Sequence, residues 1–252
     1  MLGDFLPQVM FGYALVMTRV SAMIMVVPVL GETAIPVRIR FSLAFLISLA
    51  AYPMLADTLP QLPGPPLQLA YALFVEVAIG VFIGGAARLI MSALHVAGTT
   101  IAFQSGLAVA QGFDPTQGSQ GAMMGTFLTI IATVLIFVTN LHHLLLAAII
   151  NSFNQFPPGQ LPSISTFADL AVDIMAEAFL LALQIAAPFL VYGLVFYIGL
   201  GLLARLMPQL QVFFIAMPLN IMFSFVIFLM VIGVGMTWFL DHFRTVMMTF
   251  TG

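Results

Sequence analysis

The length of the apolar runs constrains this chain more than any other feature of its sequence. Most of the runs reach the roughly 20 residues that a helix needs to cross a hydrocarbon layer about 30 Å thick. The pattern therefore predicts an all-α, membrane-class protein in which about six long apolar helices form helical hairpins. The runs lie at 9–30, 41–56, 67–91, 122–150, 174–204 and 212–240.

A seventh, more polar stretch follows the third run and covers residues 92–111. Polar side chains at membrane depth need protein or water around them, so this stretch predicts a re-entrant or buried helix. Glycine- and proline-rich breaks separate the other runs, for example at 57–66 and 156–166. No long repeat or separable soluble domain interrupts the pattern, which predicts a single unit over 1–252.

Composition excludes several classes of function. Hydrophobic residues make up 62% of the chain and charged residues 6%, whereas soluble domains have about 25% charged residues. The net charge is -3 and there is no lysine, so no basic surface exists that could bind nucleic acid. The lack of cysteine excludes disulfides and thiolate metal sites.

Motifs for catalysis or metal binding are also missing from the sequence. The four histidines, His95, His142, His143 and His242, do not have the spacing of three or four residues that aims two imidazoles at one metal. Phosphate-binding loops, nucleophile elbows and zinc-protease motifs do not occur. The sequence therefore predicts no enzyme activity, no metal and no cofactor.

Three charged residues, Arg19, Glu76 and Arg88, lie within apolar runs. Such residues are costly against lipid and mark functional candidates, because they need partners or water. Glu76 and Arg88 are roughly 18 Å apart along a helix, so their partners must come from other segments or other chains. Arg88 lies near the end of its run. The alternative to a partner for Arg88 is that its long side chain extends to the membrane interface.

Small residues recur at helical spacing in two places. One series has a small residue at every fourth position, and a second pair has the same spacing; both predict faces where another backbone approaches closely. Packing within the chain and packing between subunits both remain open. The residues are Gly98, Ala102, Gly106 and Ala110, and Gly80 and Gly84.

Two prolines, Pro188 and Pro218, lie within or near the start of apolar runs and predict kinks or helix ends there. Broken helices and intramembrane charges are typical of secondary transporters. A small-solute transporter is therefore an alternative function, although no pair of repeated halves accompanies the prolines.

Several blocks of the sequence together resemble the FliR family of flagellar type III export-gate subunits and its injectisome relatives of the SctT type. The resemblance rests on their order and spacing and on the combination of D-P, R-L-M-P-Q-L and M-P-L. One departure is Ala216, where the family commonly has glycine. The blocks lie at 19–40, 76–80, 97–115, 140–146 and 201–219.

The resemblance implies a non-catalytic subunit of a channel that FliP- and FliQ-type subunits complete and through which unfolded proteins are exported. Residues 1–170 would resemble FliP and residues 171–252 the FliQ helix pair. The implied location is the flagellar basal body in the bacterial inner membrane, with helices in contact with the lipid bilayer or projecting above its plane. An injectisome subunit is the alternative within the family.

The resemblance also implies that an FlhB-type switch protein docks on the cytoplasmic loop that contains Arg205, Pro208 and Gln209. Arginine placement agrees with this, because the positive-inside rule puts the odd-numbered connections in the cytoplasm. Those connections and their flanks hold Arg38, Arg40, Arg88 and Arg205.

A polar, glycine-rich stretch at residues 106–121 interrupts the apolar runs. In a channel for extended polypeptide, such a stretch suits a weakly specific plug, because glycine is conformationally permissive and amides bond to any backbone. Methionines that follow it suit a compressible seal. An ordinary interhelical turn is the alternative. The predicted gate residues are Gln104, Gly106, Gln111, Gly112, Asp114, Pro115, Gln117, Gly118, Gln120, Met123 and Met124.

Overall fold

The computed structural model describes residues 2–32, 35–108, 122–207 and 212–251. Within these ranges the regular structure is helical and no strand occurs. A single 3₁₀ turn, Ala56–Thr58, follows the second helix. The seven α-helices of the described ranges are α1 (Leu2–Val26), α2 (Val37–Leu55), α3 (Pro66–Gln104), α4 (Ala122–Val138), α5 (His142–Gln155), α6 (Ile164–Leu206) and α7 (Val212–Thr249).

The predicted fold class is confirmed. Among the described residues, five helices are long and apolar enough to cross a membrane, and the number rises to six if α4 and α5 count as one broken span. These lengths follow from the apolar runs, because a helix is the only open element that satisfies its own backbone polar groups in lipid.

The predicted boundary between the third run and the polar stretch at 92–111 is wrong. Helix α3 continues without a break from Pro66 to Gln104, so its polar half is not a separate re-entrant element. The hydroxyls of Thr99 and Thr100 donate to the carbonyls of His95 and Val96, one turn earlier, at 2.8 and 2.9 Å. The helix backbone itself satisfies these polar side chains, and a higher polar content does not end the helix.

The run at 122–150 is broken where the sequence predicted one apolar segment. Helix α4 ends at Val138 and α5 begins at His142. Between them Asn140 has φ 59°, in the left-handed region that asparagine tolerates better than most residues. The break lies in a short polar stretch, in which Thr139, His142 and His143 accompany Asn140, and long apolar segments flank this stretch on both sides.

The prolines end neither of their helices. Pro188 lies within α6 and Pro218 within α7, and both helices continue past them. A proline removes one internal hydrogen bond, and long apolar segments tolerate this loss where neighbouring groups satisfy the freed carbonyl. Of the two predicted outcomes, helix ends at these positions are wrong, and kinks stay a prediction.

The chain divides into two compact units. Unit one comprises residues 1–89, 136–175 and 243–252, and unit two comprises residues 90–135 and 176–242. Each has its own apolar core of fully buried side chains. Those of unit one include Leu15, Met23, Ile79, Ile83 and Phe243, and those of unit two include Leu94, Ile101, Leu128, Phe189 and Phe239.

Large apolar side chains remain exposed along the last two helices. In the most apolar part of α7 only 22% of residues are buried, and in that of α6 only 33%. Val191, Leu194 and Leu229 are examples of side chains that are about two-thirds exposed or more. Surfaces of this size and character need lipid or protein to cover them.

Candidate functional site

Two of the three intramembrane charges form an ion pair in unit one. Arg19 of α1 and Glu76 of α3 are both fully buried, and Arg19 Nε donates to Glu76 Oε2 at 2.5 Å. The two residues are 57 positions apart in the chain. Their partner is thus another segment of the same chain, one of the two options that the sequence left open.

Further hydrogen bonds complete the pairing of both groups. The guanidinium nitrogens of Arg19 donate to the carbonyl oxygens of Ser152 at 2.9 Å and Phe156 at 3.0 Å. The remaining carboxylate oxygen, Glu76 Oε1, accepts the backbone N–H of Gly159 at 2.8 Å. Because every charged atom of the pair has a partner, the cluster avoids the cost of an orphaned buried charge.

The guanidinium also closes the end of α5. Ser152 lies in the last turn of that helix and Phe156 follows its last residue. The Phe156 carbonyl lies past the helix end, and the Ser152 carbonyl also accepts the backbone N–H of Phe156 at 2.9 Å, so Arg19 is its second donor. A cation is favoured there by the helix dipole. The Arg19 guanidinium carbon lies 4.1 Å from the centre of the Phe153 ring, which adds a cation–π contact.

Glycine packing brings the two charges together. A Cβ atom at Gly80, one turn after Glu76, would lie 2.6 Å from the carbonyl oxygen of Arg19. One at Gly84 would lie 3.0 Å from the carbonyl oxygen of Met23. The two glycines therefore let α3 approach the backbone of α1 at the level of the ion pair, and this close contact lies within the chain.

The third intramembrane charge has a different environment. Arg88 is exposed, and its polar contact in the structure is a long one, from Nη1 to the carbonyl oxygen of Val26 at 3.5 Å. Its charge is thus available to solvent, lipid head groups or another chain. The structure does not bring it to the Arg19–Glu76 pair.

In unit two, polar groups gather at the end of α3. The helix ends at Gln104, and Gly106 follows with φ +75°, which glycine adopts without strain. The N–H of Gly106 donates to the carbonyl oxygen of Phe103 at 3.2 Å, closing the last turn. Gly106 therefore lies beyond the helix, and the predicted series of small residues does not continue through it on one helical face.

Asn220 of α7 bonds to this helix end. The side chain is buried, and its Nδ2 donates to the carbonyl oxygen of Gln104 at 3.1 Å. A Cβ atom at Gly106 would lie 3.2 Å from the same nitrogen. The side-chain amide of Gln104 packs against Gly193 of α6 so closely that a Cβ atom there would overlap it.

The earlier members of the small-residue series lie at another helix contact in unit two. A Cβ atom at Gly98 would overlap the backbone of Gly125 in α4, and a Cβ atom at Gly125 would lie 2.8 Å from Nδ1 of His95. Ala102 is buried beside a cavity of about 340 Å³. For Gly98, the close backbone approach is again within the chain.

The predicted methionines line that cavity. Met123 is 65% exposed and Met124 is partly buried, and the remaining walls are apolar. Phe127 and Phe228 also line it, with ring centres 6.0 Å apart. The arrangement presents adaptable apolar side chains close to the start of α4, next in sequence to the predicted plug.

Comparison with known proteins identifies the family. Residues 10–246 match the family described as bacterial export proteins, family 1. The flagellar biosynthetic protein FliR of Caulobacter vibrioides is 38% identical over 239 residues, which cover 94% of this chain and 95% of that protein. This chain belongs to the FliR family of bacterial export proteins.

Other relatives show how far the similarity of this FliR-family chain extends. The flagellar biosynthetic protein FliR of Bacillus subtilis is 30% identical over 88% of this chain and 86% of its own length. The Yop proteins translocation protein T of Yersinia pestis is 28% identical over 87% of this chain and 85% of its own length. The similarity therefore extends along nearly the whole chain in flagellar and translocation proteins alike.

Several residues singled out for this FliR-family chain lie outside the described residues. Arg205 is described; it is exposed in the last turn of α6. The residues outside are Ala110, Gln111, Gly112, Asp114, Pro115, Gln117, Gly118 and Gln120 of the predicted plug and packing series, and Pro208 and Gln209 of the predicted cytoplasmic loop.

The histidines do not form a metal site in the part of the chain that the structure describes, which contains no group of three or more potential metal ligands. The rings of His142 and His143 lie 4.2 Å apart at the start of α5, and Phe137 lies beside them. The two imidazole rings of this pair contact each other and do not belong to a shared set of metal ligands in the described residues.

Sequence reasoning missed the uncharged members of both clusters. Ser152, Phe156 and Gly159 act through backbone atoms, which leave no trace in side-chain patterns. Asn220 had a usable signal, since it is a buried amide in an apolar run of α7 and such polar residues normally have a partner.

Proposed function

We propose that this chain is the FliR-type subunit of a flagellar type III export gate. In this proposal it forms, with FliP- and FliQ-type subunits, a channel through which unfolded proteins leave the cell, and it has no catalytic role. The observation that carries the proposal is the 38% identity to a flagellar FliR protein over 94% of this chain and 95% of the relative.

A flagellar system is favoured over an injectisome. The flagellar relatives from Caulobacter and Bacillus are 38% and 30% identical to this chain, and the Yop translocation protein is 28% identical. We therefore propose that the chain lies in the inner membrane at the flagellar basal body. The alternative is that it belongs to an injectisome, and the experiment below distinguishes the two systems.

The exposed apolar surface supports a subunit that functions in contact with other chains. Helices α2, α6 and α7 are the least buried of the long apolar helices in the described part of the chain, and the last two together form the end proposed to resemble FliQ. We propose that residues 1–170 occupy a FliP-like position and residues 171–252 a FliQ-like one. On the same proposal, the loop after Arg205 faces an FlhB-type protein in the cytoplasm.

We propose that the channel is closed by residues 106–121 together with the methionines that follow. Gln104 and Gly106 form the base of this segment at the end of α3, and Met123 and Met124 line an apolar cavity at its other end. Glycine and amide side chains accept many backbone sequences, which suits a closure that different exported proteins must displace.

A small-solute transporter is disfavoured by the ion pair. Arg19 and Glu76 are fully buried and use their charged atoms on each other and on backbone groups. Neither group is free to bind a solute, whereas transporter sites place charges where they face a cavity.

Extraction in mild detergent followed by mass measurement tests the proposal. An affinity-tagged chain expressed with its chromosomal neighbours should be recovered in a hetero-oligomer whose mass copies of the 27.2 kDa chain alone do not account for, and whose other chains are FliP- and FliQ-like. Recovery as a monomer or a homo-oligomer would refute the gate and favour the transporter. Recovery with injectisome subunits would assign the chain to an injectisome instead of a flagellum and would still support its role as a gate subunit.

A further inference from the structure

Two arginines from different helices bond to the same short turn of unit one, in which α1 ends. Arg88 of α3 donates from Nη1 to the carbonyl oxygen of Val26, the last residue of α1, at 3.5 Å. The N–H of Gly31 donates to the carbonyl oxygen of Val27 at 2.8 Å, and Arg40 of α2 donates to the carbonyl oxygen of Gly31 at 3.2 Å. The turn therefore holds both guanidinium groups at one end of the unit.

A third arginine makes this end basic. Arg38 is exposed in the first turn of α2, two residues before Arg40. In the described part of the chain, none of the three arginines forms an ion pair with a carboxylate. Glu32 is the one acid between α1 and α2, so three arginines against one glutamate leave an excess of two positive charges. The opposite end of α2 is acidic, since Asp57 is exposed just after it.

The surface of α2 that follows the arginines is apolar. Val37 and Ile39 are more than half exposed in the first turn, and Leu46 and Leu49 are more than half exposed further along the helix. With 19 residues, α2 is roughly 28 Å long, close to the thickness of a hydrocarbon layer. Basic groups at one end of an apolar face match a phospholipid, which presents a phosphate above its acyl chains.

We propose that this end of unit one binds the head group of an anionic phospholipid, whose acyl chains lie along the exposed face of α2. Arg38 and Arg88 supply positive charge and hydrogen-bond donors to the phosphate, and Arg40 fixes the turn beside them. The N-terminus of α2 adds to the attraction, because its dipole favours negative charge. A protein subunit would also cover apolar side chains, but a bilayer leaflet matches both the helix length and the separation of its charged ends. Binding of this lipid does not depend on the assignment to an export gate.

Native mass spectrometry of the purified full chain in detergent tests the site, with phosphatidylglycerol and phosphatidylcholine of the same acyl chains as probes. We expect phosphatidylglycerol to bind about 10–30-fold more tightly, as two exposed arginines near an anionic group imply. Soluble glycerol 3-phosphate, which has the phosphate without the acyl chains, should not displace it at equal concentration. Equal affinity for the two lipids, or displacement by glycerol 3-phosphate, would overturn the proposal.

Single substitutions locate the site on the chain. Arg38→Gln and Arg88→Gln should each reduce the preference for phosphatidylglycerol about fivefold, and the double variant should remove it. Arg244→Gln is the matched control, because it removes one exposed arginine of α7 and should leave the preference unchanged. An equal loss in the control would show a general effect of charge and overturn the site. A double variant that keeps the preference but no longer binds its partner subunits would show that a protein covers this end instead.

Discussion

Two helix ends, one in each unit, are closed by a side chain from another helix, but with very different strength. At the end of α5 the donor is the charged guanidinium of Arg19, which Glu76 neutralises. At the end of α3 the donor is the neutral amide of Asn220, which makes one bond to Gln104 and whose own oxygen has no donor among the described residues. Both side chains supply hydrogen-bond donors to carbonyl oxygens at a helix end, which need donors in apolar surroundings.

The difference indicates what each helix end does. The α5 end is fixed by charge-assisted bonds, and losing one partner there leaves a buried charge. The α3 end, which leads into the proposed plug, is joined to α7 by one neutral side-chain hydrogen bond among the described residues. A segment that must be displaced by an exported chain is expected to have such a weak anchor, because mobile elements come from the less stable parts of a fold.

The largest expected effect is that of removing one charge of the ion pair. Arg19→Met leaves Glu76 buried without its cation and should lower the free energy of unfolding by about 3–5 kcal/mol. The amount of folded chain recovered from membranes should fall sharply. The double variant Arg19→Met with Glu76→Met, which removes both charges, should recover more folded chain than either single variant.

Equal losses in the single and double variants would contradict the pairing of Arg19 with Glu76. Glu76→Gln is a useful intermediate, because glutamine keeps the size but must present an N–H to Arg19 Nε or to Gly159. We expect it to reduce assembly. An assembled Glu76→Gln complex that fails to export would point instead to an ionic role in gating.

Glycine packing beside the ion pair should give the next largest effect. Gly80→Ala places a Cβ against the carbonyl oxygen of Arg19 and should cost about 1–3 kcal/mol. Gly85→Ala on the same helix is the matched control, because an added Cβ there meets no atom within 4 Å. The control should be neutral or gain up to about 1 kcal/mol from helix propensity. Thermal unfolding of the two variants in detergent compares them, and equal stability would refute the close packing.

A smaller loss is expected at the weak anchor. Asn220→Leu leaves the carbonyl oxygen of Gln104 without its side-chain donor and should cost about 1 kcal/mol, the net value of one neutral hydrogen bond. Hydrogen exchange of amides at the end of α3 should increase, with those around Arg19 unchanged. A loss as large as that of Arg19→Met would remove the distinction between the two helix ends.

The smallest effect on stability should come from the methionines. Replacing Met123 and Met124 by alanine removes partly exposed side chains, so folding and assembly should change little. Cells that produce the assembled double variant should take up small solutes slightly faster than the wild type. Deleting Phe113 to Gly118 should increase uptake more. An assembled deletion complex as tight as the wild type would contradict the plug and leave an ordinary turn.

Periodicity and apolar length predicted most of the helices, because in apolar surroundings a long run has no alternative to helical structure. They could not predict helix ends set by single residues. Asn140 breaks an apolar run through its backbone conformation, and Thr99 and Thr100 bond within the helix and let α3 continue.

The charged residues were recognised from the sequence as needing partners, but their pairing was not. Arg19 and Glu76 are far apart along the chain, and most of their hydrogen bonds go to backbone atoms. Gly80 and Gly84 were recognised as positions of close approach, yet spacing alone did not distinguish packing within the chain from packing between subunits. Only the fold connects the glycines with the charges they bring together.

Export of flagellar proteins by a strain that lacks this chain tests the central claim most directly. The account predicts that the deletion strain makes these proteins but retains them inside the cell, that the wild-type chain restores their appearance in the medium, and that Arg19→Met does not. Normal levels of flagellar proteins in the medium of the deletion strain would contradict the assignment of this chain to the flagellar export gate.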